Sequence, residues 1–144
     1  DLLDLQTLSK ELPLSHDEQA TLAYKQFLVG MKCEQYETAI SSINSWLAAN
    51  PDDSFAWHGK GNALFNLGRL EDAVASYDKA ISIKPDYHAA LNNRGVVLED
   101  LGRIEAAIAS YDKAIAIKPD YHAALNNRRI ALDKLKQQKR NIEH

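Results

Sequence analysis

Two asparagine doublets, Asn92–Asn93 and Asn126–Asn127, lie 34 residues apart, with Asn62 and Asn66 upstream of them. A side-chain amide carries both a donor and an acceptor, so a row of amides can pair with an extended peptide main chain while ignoring its side chains. Exposed asparagines copied by duplication are the plainer alternative, since asparagine is a mediocre helix former that needs some cause to recur. No other chemistry is assembled. His88 and His122 also stand 34 residues apart, and stacked helical units put such positions on the order of 10 Å from each other, too far for one metal ion. The chain has no His-x-x-x-His spacing, no glycine-rich phosphate loop and no nucleophile elbow. Its one cysteine, Cys33, has no histidine nearby in sequence and reads as a small packing residue. The expectation is a non-catalytic chain with no metal and no cofactor.

The elements that must position these amides are themselves repeated. Residues 75–94 read ASYDKAISIKPDYHAALNNR and residues 109–128 read ASYDKAIAIKPDYHAALNNR, differing only at Ser82 against Ala116. A fixed period of 20–50 residues marks a solenoid, whose units stack because none can bury its apolar face alone. Within each unit apolar residues recur at helical spacing, as in Val74, Tyr77, Ile81 and again Ile108, Tyr111, Ile115. Gly68 and Gly102 sit where a helix must stop and turn. Pro85 and Pro119 close the second helix of each unit. Gly61 and Gly95 lie inside helices at a cost of roughly 1 kcal/mol against alanine. That cost is understandable if helix backbones approach closely there, as Ala73, Ala80, Ala107 and Ala114 also suggest.

In a 34-residue frame starting at Ser54, the first full unit places Trp57, Gly61, Leu64, Gly68, Ala73, Tyr77, Ala80 and Pro85. The second places Leu91, Gly95, Leu98, Gly102, Ala107, Tyr111, Ala114 and Pro119. This resembles the tetratricopeptide repeat, W-x2-L-G-x2-Y, then A-x3-F, then P, with Lys60 and Arg94 in place of the usual leucine. A degenerate unit precedes these: aligning Pro51 with Pro85 sets Ala39 on Ala73, Ile43 on Tyr77 and Trp46 on Ala80. Phe27 falls on the small-residue place there, and no glycine marks the turn near Cys33–Gln35. Ser15-x-x-Glu18 reads as a capping box opening its first helix.

The expected layout is an N-terminal helix or cap over residues 1–14 and a repeat array over 15–140. The array divides into a degenerate unit (20–53), two full units (54–87 and 88–121) and a capping helix (122–140), followed by a tail (141–144). The chain begins at Asp1 without methionine, as an excised segment or a processed product would.

The resemblance implies an all-α, right-handed superhelical solenoid of antiparallel helix pairs, with a peptide lying in the concave groove lined by the first helix of each pair. The groove positions carried over are His58, Asn62, Phe65 and Asn66 in the first full unit, and Asn92, Asn93, Val96, Glu99 and Asp100 in the second. The last helix contributes Asn126, Asn127, Ile130 and Asp133, and the degenerate unit adds Tyr24, Leu28 and Met31. Asn93 and Asn127 occupy the place of the asparagine ladder in arrays such as that of O-linked N-acetylglucosamine transferase, although Gly59 interrupts it in the first full unit. A carboxylate clamp of the two-carrier type is not expected, because His58, Ala123 and Asn127 stand where its cations belong. Glu99, Asp100 and Asp133 favour a neutral or basic partner segment. Arg94 and Arg128 are expected to pack their stems between helices and pair with Asp78 or Asp112. Tyr77, Tyr111, Tyr87 and Tyr121 are expected in the core and between repeats.

A net charge of -3 over 144 residues leaves no basic footprint for nucleic acid. No run approaches the roughly 18 apolar residues of a membrane span, and no signal-peptide pattern opens the chain. With a single cysteine, a cytoplasmic location is expected. The function expected is protein binding. The alternatives are a spacer or self-assembly module, forming a homo-oligomer through repeat stacking, and a domain that positions substrates for an enzyme.

Overall fold

The computed structural model describes residues 13–143, so most of the expected 1–14 cap, and His144 of the expected tail, lie outside the described residues. Seven helices occur among the described residues: α1 (His16–Lys32), α2 (Tyr36–Ala49), α3 (Ser54–Asn66), α4 (Leu70–Ile83), α5 (His88–Asp100), α6 (Ile104–Ile117) and α7 (His122–Glu143). The chain divides into two compact units, Asp1–Pro51 and Asp52–His144. The first holds the pair α1–α2. The second holds the pairs α3–α4 and α5–α6 followed by α7, and consecutive helices pack on one another.

In the first unit the capping box forms as expected. The Ser15 hydroxyl accepts from the Glu18 amide at 3.2 Å, and the Glu18 carboxylate accepts from the Ser15 amide at 2.8 Å. The α1–α2 turn is built without glycine: Glu34 takes φ 59°, with Gln35 N–H donating to the Gly30 carbonyl at 2.7 Å. Phe27 is buried at the register of Gly61, and Ile43 is buried at the register of Tyr77. The bulk has moved from the second helix of the pair to the first. Cys33 caps α1 and is exposed, contrary to the packing role expected of it, because the turn lifts it off the helix face.

In the second unit, Asp53 caps α3 by accepting from the amides of Phe55 (3.1 Å) and Ala56 (3.2 Å). Gly68 and Gly102 end α3 and α5 with φ 78° and 80°. Arg69 N–H reaches back to the Leu64 carbonyl and Arg103 N–H to the Leu98 carbonyl, the six-to-one bond of a Schellman motif. The core is a row of small residues and rings. Tyr77 and Tyr111 are wholly buried, each laid on the glycine of the preceding helix, Gly61 and Gly95. Leu91, Ala114 and Ala124 form a further cluster, closed by Ile81, Ile115 and Tyr121.

Two arginines staple the helices. Arg94 Nε donates to Asp78 (2.6 Å) and its Nη1 to the buried Ser110 hydroxyl (2.6 Å), tying α5 to α4 and α6. Arg128 pairs with Asp112 at 2.5 Å. These are the carboxylates expected from the sequence. The last helix runs to Glu143, past Arg140, because its lysine, arginine and glutamine residues are good helix formers and no breaker intervenes.

Candidate functional site

The first helices of successive pairs in the second unit, α3, α5 and α7, carry the predicted residues and lie next to one another. Their polar side chains bond across the repeats. Asn93 Nδ2 on α5 donates to His58 Nε2 (2.9 Å) and to Asn62 Oδ1 (3.1 Å), both on α3. Tyr77 on α4 also donates to Asn62 Oδ1, at 2.6 Å. His58 Nδ1 lies 3.0 Å from the Tyr87 hydroxyl. Because Nε2 accepts from an amide, the neutral ring carries its proton on Nδ1 and donates it to Tyr87. Burial pushes the His58 pKa below its ordinary 6.5, which favours that neutral ring.

This network orients two amides. Both Asn93 Nδ2 hydrogens are used, so its Oδ1 is the group left to accept. Asn62 Oδ1 receives two bonds, so its Nδ2 is the group left to donate. Neither of these remaining groups is hydrogen-bonded among the described residues. An acceptor therefore stands beside a donor on two half-buried side chains of adjacent helices.

The second repeat is wired differently. Val96 stands at the register of Asn62, so Tyr111 reaches one turn further and donates to Glu99 Oε1 at 2.7 Å. Lys134 on α7 donates to Glu99 Oε2 at 2.8 Å. Burial, followed by the Glu99 bond, pushes the Tyr111 hydroxyl well above its ordinary range, and burial does the same for Tyr77. Asn127 Nδ2 donates to Asn92 Oδ1 at 3.1 Å. Asn92 is only 6% exposed, so among the predicted residues it serves as the rung on which Asn127 rests.

The remaining positions are less connected. Asn126 is exposed and accepts from Arg129 at 3.0 Å. Asp133 lies 3.7 Å from Arg129, and Asp100 is exposed. Val96 and Phe65 are half-buried, Ile130 is exposed, and Asn66 bonds back to the Asn62 carbonyl of its own helix. In the first unit Tyr24 is half-buried with its ring 5.0 Å from Trp46, Met31 is half-buried and Leu28 is exposed.

Sequence reasoning assigned Tyr87 only to packing, yet its hydroxyl meets His58. It also passed over Phe55, 58% exposed with its ring 5.3 Å from Tyr87. Lys84 lies over both rings, 4.9 Å and 5.0 Å from their centres. The available signal was the recurrence of aromatic residues at repeat boundaries. Among the described residues no three histidine, cysteine, aspartate or glutamate side chains gather as metal ligands, and no helix is long and apolar enough to cross a membrane.

The tetratricopeptide repeat profile matches residues 24–88 and 60–122, together well over half of the chain. The chain belongs to the tetratricopeptide repeat family. Its fold is that of the first repeat domain of Spaghetti (RPAP3) bound to the HSP90 peptide SRMEEVD (TM-score 0.78, 21% identity, 82% of this chain and 94% of that one). The Sgt2 repeat domain of Aspergillus fumigatus is equally close (TM-score 0.79, 19% identity, 84% and 82%). YrrB, a repeat protein described as having an unusual peptide-binding site, shares 29% identity (TM-score 0.73, 76% and 57%). No curated protein matches the chain in sequence.

Proposed function

We propose that this chain is a non-catalytic protein-interaction module that holds an extended peptide along α3, α5 and α7. The observation that carries this reading is the oriented pair Asn93 Oδ1 and Asn62 Nδ2, an acceptor and a donor side by side with no partner among the described residues. One peptide unit offers the complementary N–H and C=O. Asn127, one repeat on, keeps one amide hydrogen and its carbonyl for the same use. The residues of this surface are His58, Asn62, Asn93, Val96, Asp100, Asn126, Asn127 and Asp133, with Asn92 and Glu99 supporting it from beneath.

The partner is a neutral segment with room for one cation. Glu99 has both oxygens engaged and its side chain only 8% exposed, which leaves Asp100 as the one of those three carboxylates with no ion pair among the described residues. An acidic tail such as the SRMEEVD held by the Spaghetti domain is not the expected ligand, because His58, Ala123 and Asn127 supply no fixed cation at the clamp places.

Phage-displayed random peptides selected on this chain should enrich segments that lose binding to an Asn93→Ala, Asn127→Ala variant of unchanged helicity. Equal binding by parent and variant would refute the surface. A second reading, self-association, draws on Leu125, which is 40% exposed where its repeat twin Leu91 is 3% exposed. Sedimentation velocity over a concentration series separates the two readings.

A further inference from the structure

We infer that His58 is a proton-controlled positioning residue whose protonation reverses the amides of Asn93 and Asn62, and so inverts the donor–acceptor order of the proposed peptide surface. The inference rests on the peptide-binding reading for its consequence but not for its mechanism. The geometry is a relay of four side chains: Tyr87 hydroxyl to His58 Nδ1 at 3.0 Å, His58 Nε2 to Asn93 Nδ2 at 2.9 Å, Asn93 Nδ2 to Asn62 Oδ1 at 3.1 Å, and Asn62 Oδ1 to the Tyr77 hydroxyl at 2.6 Å.

A second proton on the ring goes to Nε2, the atom that now accepts from Asn93. Two donors then face each other, and the contact survives only if Asn93 turns its amide to present Oδ1 to the imidazolium. Turned, Asn93 places that oxygen against Asn62 Oδ1, and Asn62 must turn in its own right, donating Nδ2 to Asn93 and to the Tyr77 oxygen. Tyr77 can change from donor to acceptor by rotating its hydroxyl. The outcome is a surface in which Asn93 donates and Asn62 accepts, the opposite of the neutral state. A main chain paired with the neutral form meets like groups in the protonated form.

The groups around the ring permit this. From α4, Tyr77 packs its ring 5.9 Å from the imidazole. Ahead of α5, Tyr87 lies 4.9 Å away by ring centres and brings Lys84 over its own face. From α5 comes the neutral Asn93. No carboxylate bonds or pairs with His58 among the described contacts, and desolvation favours the neutral ring. The relay is peculiar to the first full unit. In the second, Asn92, Tyr121 and Val96 stand at the registers of His58, Tyr87 and Asn62, so the device is not a by-product of duplication.

The test uses the free chain, labelled with nitrogen-15, and follows the His58 ring together with the side-chain amides of Asn62 and Asn93 as pH falls. Both amides are expected to shift with the His58 midpoint, at a pH below 6.5, and to stay still in His58→Gln. Amides that remain fixed while His58 titrates, or that move equally in His58→Gln, overturn the inference. Should His58→Gln fail to fold, the parent titration alone decides. Peptides selected at neutral pH should then bind about ten-fold more weakly below the midpoint, the order of one or two lost hydrogen bonds, whereas the affinity of His58→Gln, whatever its level at neutral pH, should show no step across that midpoint. Coupled amide reversal in a chain that selects no peptide refutes the proposed function and leaves the relay standing. Intact binding with affinity flat across the midpoint refutes the gating.

Discussion

Replacing Gly61 by alanine sets two physical effects against each other, and the structure decides the sign. Helix propensity alone stabilises alanine over glycine by about 1 kcal/mol in a helix interior. In α3, however, a Cβ at position 61 would stand 2.5 Å from Tyr77 Cε1, 2.7 Å from Cδ1 and 2.9 Å from Cζ, against a comfortable separation of about 3.5–4.0 Å for carbon atoms. The ring has nowhere to withdraw: Tyr77 is fully buried and its hydroxyl is held by Asn62 at 2.6 Å. Overpacking of this kind costs about 1–3 kcal/mol, and displacing the ring loses a hydrogen bond worth about 1 kcal/mol more. Gly61→Ala should therefore destabilise the chain by about 1–3 kcal/mol net, the propensity gain offsetting part of the clash. In a Tyr77→Leu background the obstructing ring atoms are gone, and the same substitution should stabilise by up to about 1 kcal/mol. Urea unfolding followed by far-ultraviolet circular dichroism gives both differences from the shift in midpoint at constant slope. If Gly61→Ala stabilises the parent chain, or changes both backgrounds alike, the account of Gly61 as a seat for Tyr77 is wrong. Gly95 beneath Tyr111 offers an independent repetition of the experiment.

Three further outcomes follow from named contacts. Arg94→Ala should cost about 1–3 kcal/mol, because it leaves buried Ser110 without its donor, while Arg128→Ala should cost no more than about 1 kcal/mol, its pair being half-exposed; urea midpoints compare them. In a spectrophotometric alkaline titration, Tyr77 and Tyr111 of the six tyrosines should stay protonated until the chain unfolds. Their folded-state pKa values are raised, so the stability they contribute is complete below the ordinary value of 10.0 and is lost as pH rises above it. His58 works in the opposite sense: its folded-state pKa is lowered, so its contribution is present above 6.5 and is lost as pH falls through the folded value. Thermal midpoints of the parent should drop over that window more than those of His58→Gln.

The 34-residue offset, the turn glycines, the capping box and the arginine–aspartate pairs could all be read from the residues, because each depends on spacing along the chain or on one local geometry. What could not be read depends on which helix arrives next. Asn92 and Asn126 sit in the identical stretch HAALNNR, yet Asn92 is buried beneath α7 through Asn127 whereas Asn126 is exposed, since among the described residues no later helix packs over α7. Leu91 and Leu125 differ for the same reason. The fastening of His58 to Tyr87 and Asn93 spans 29 and 35 residues and exists only once the pairs stack. Cys33 was misread because its burial was inferred from residue type, and the position that decides it is a turn built by Glu34 at positive φ.

The central claim, that α3, α5 and α7 hold a peptide main chain through their amides, is tested most directly by the side-chain amide footprint of a selected peptide on the nitrogen-15-labelled chain. The account expects the side-chain resonances of Asn62, Asn93 and Asn127 to move on saturation, and an Asn62→Ala, Asn93→Ala variant that stays folded to bind at least about ten-fold more weakly. A footprint confined to α4 and α6, or undiminished binding by that variant, would contradict it.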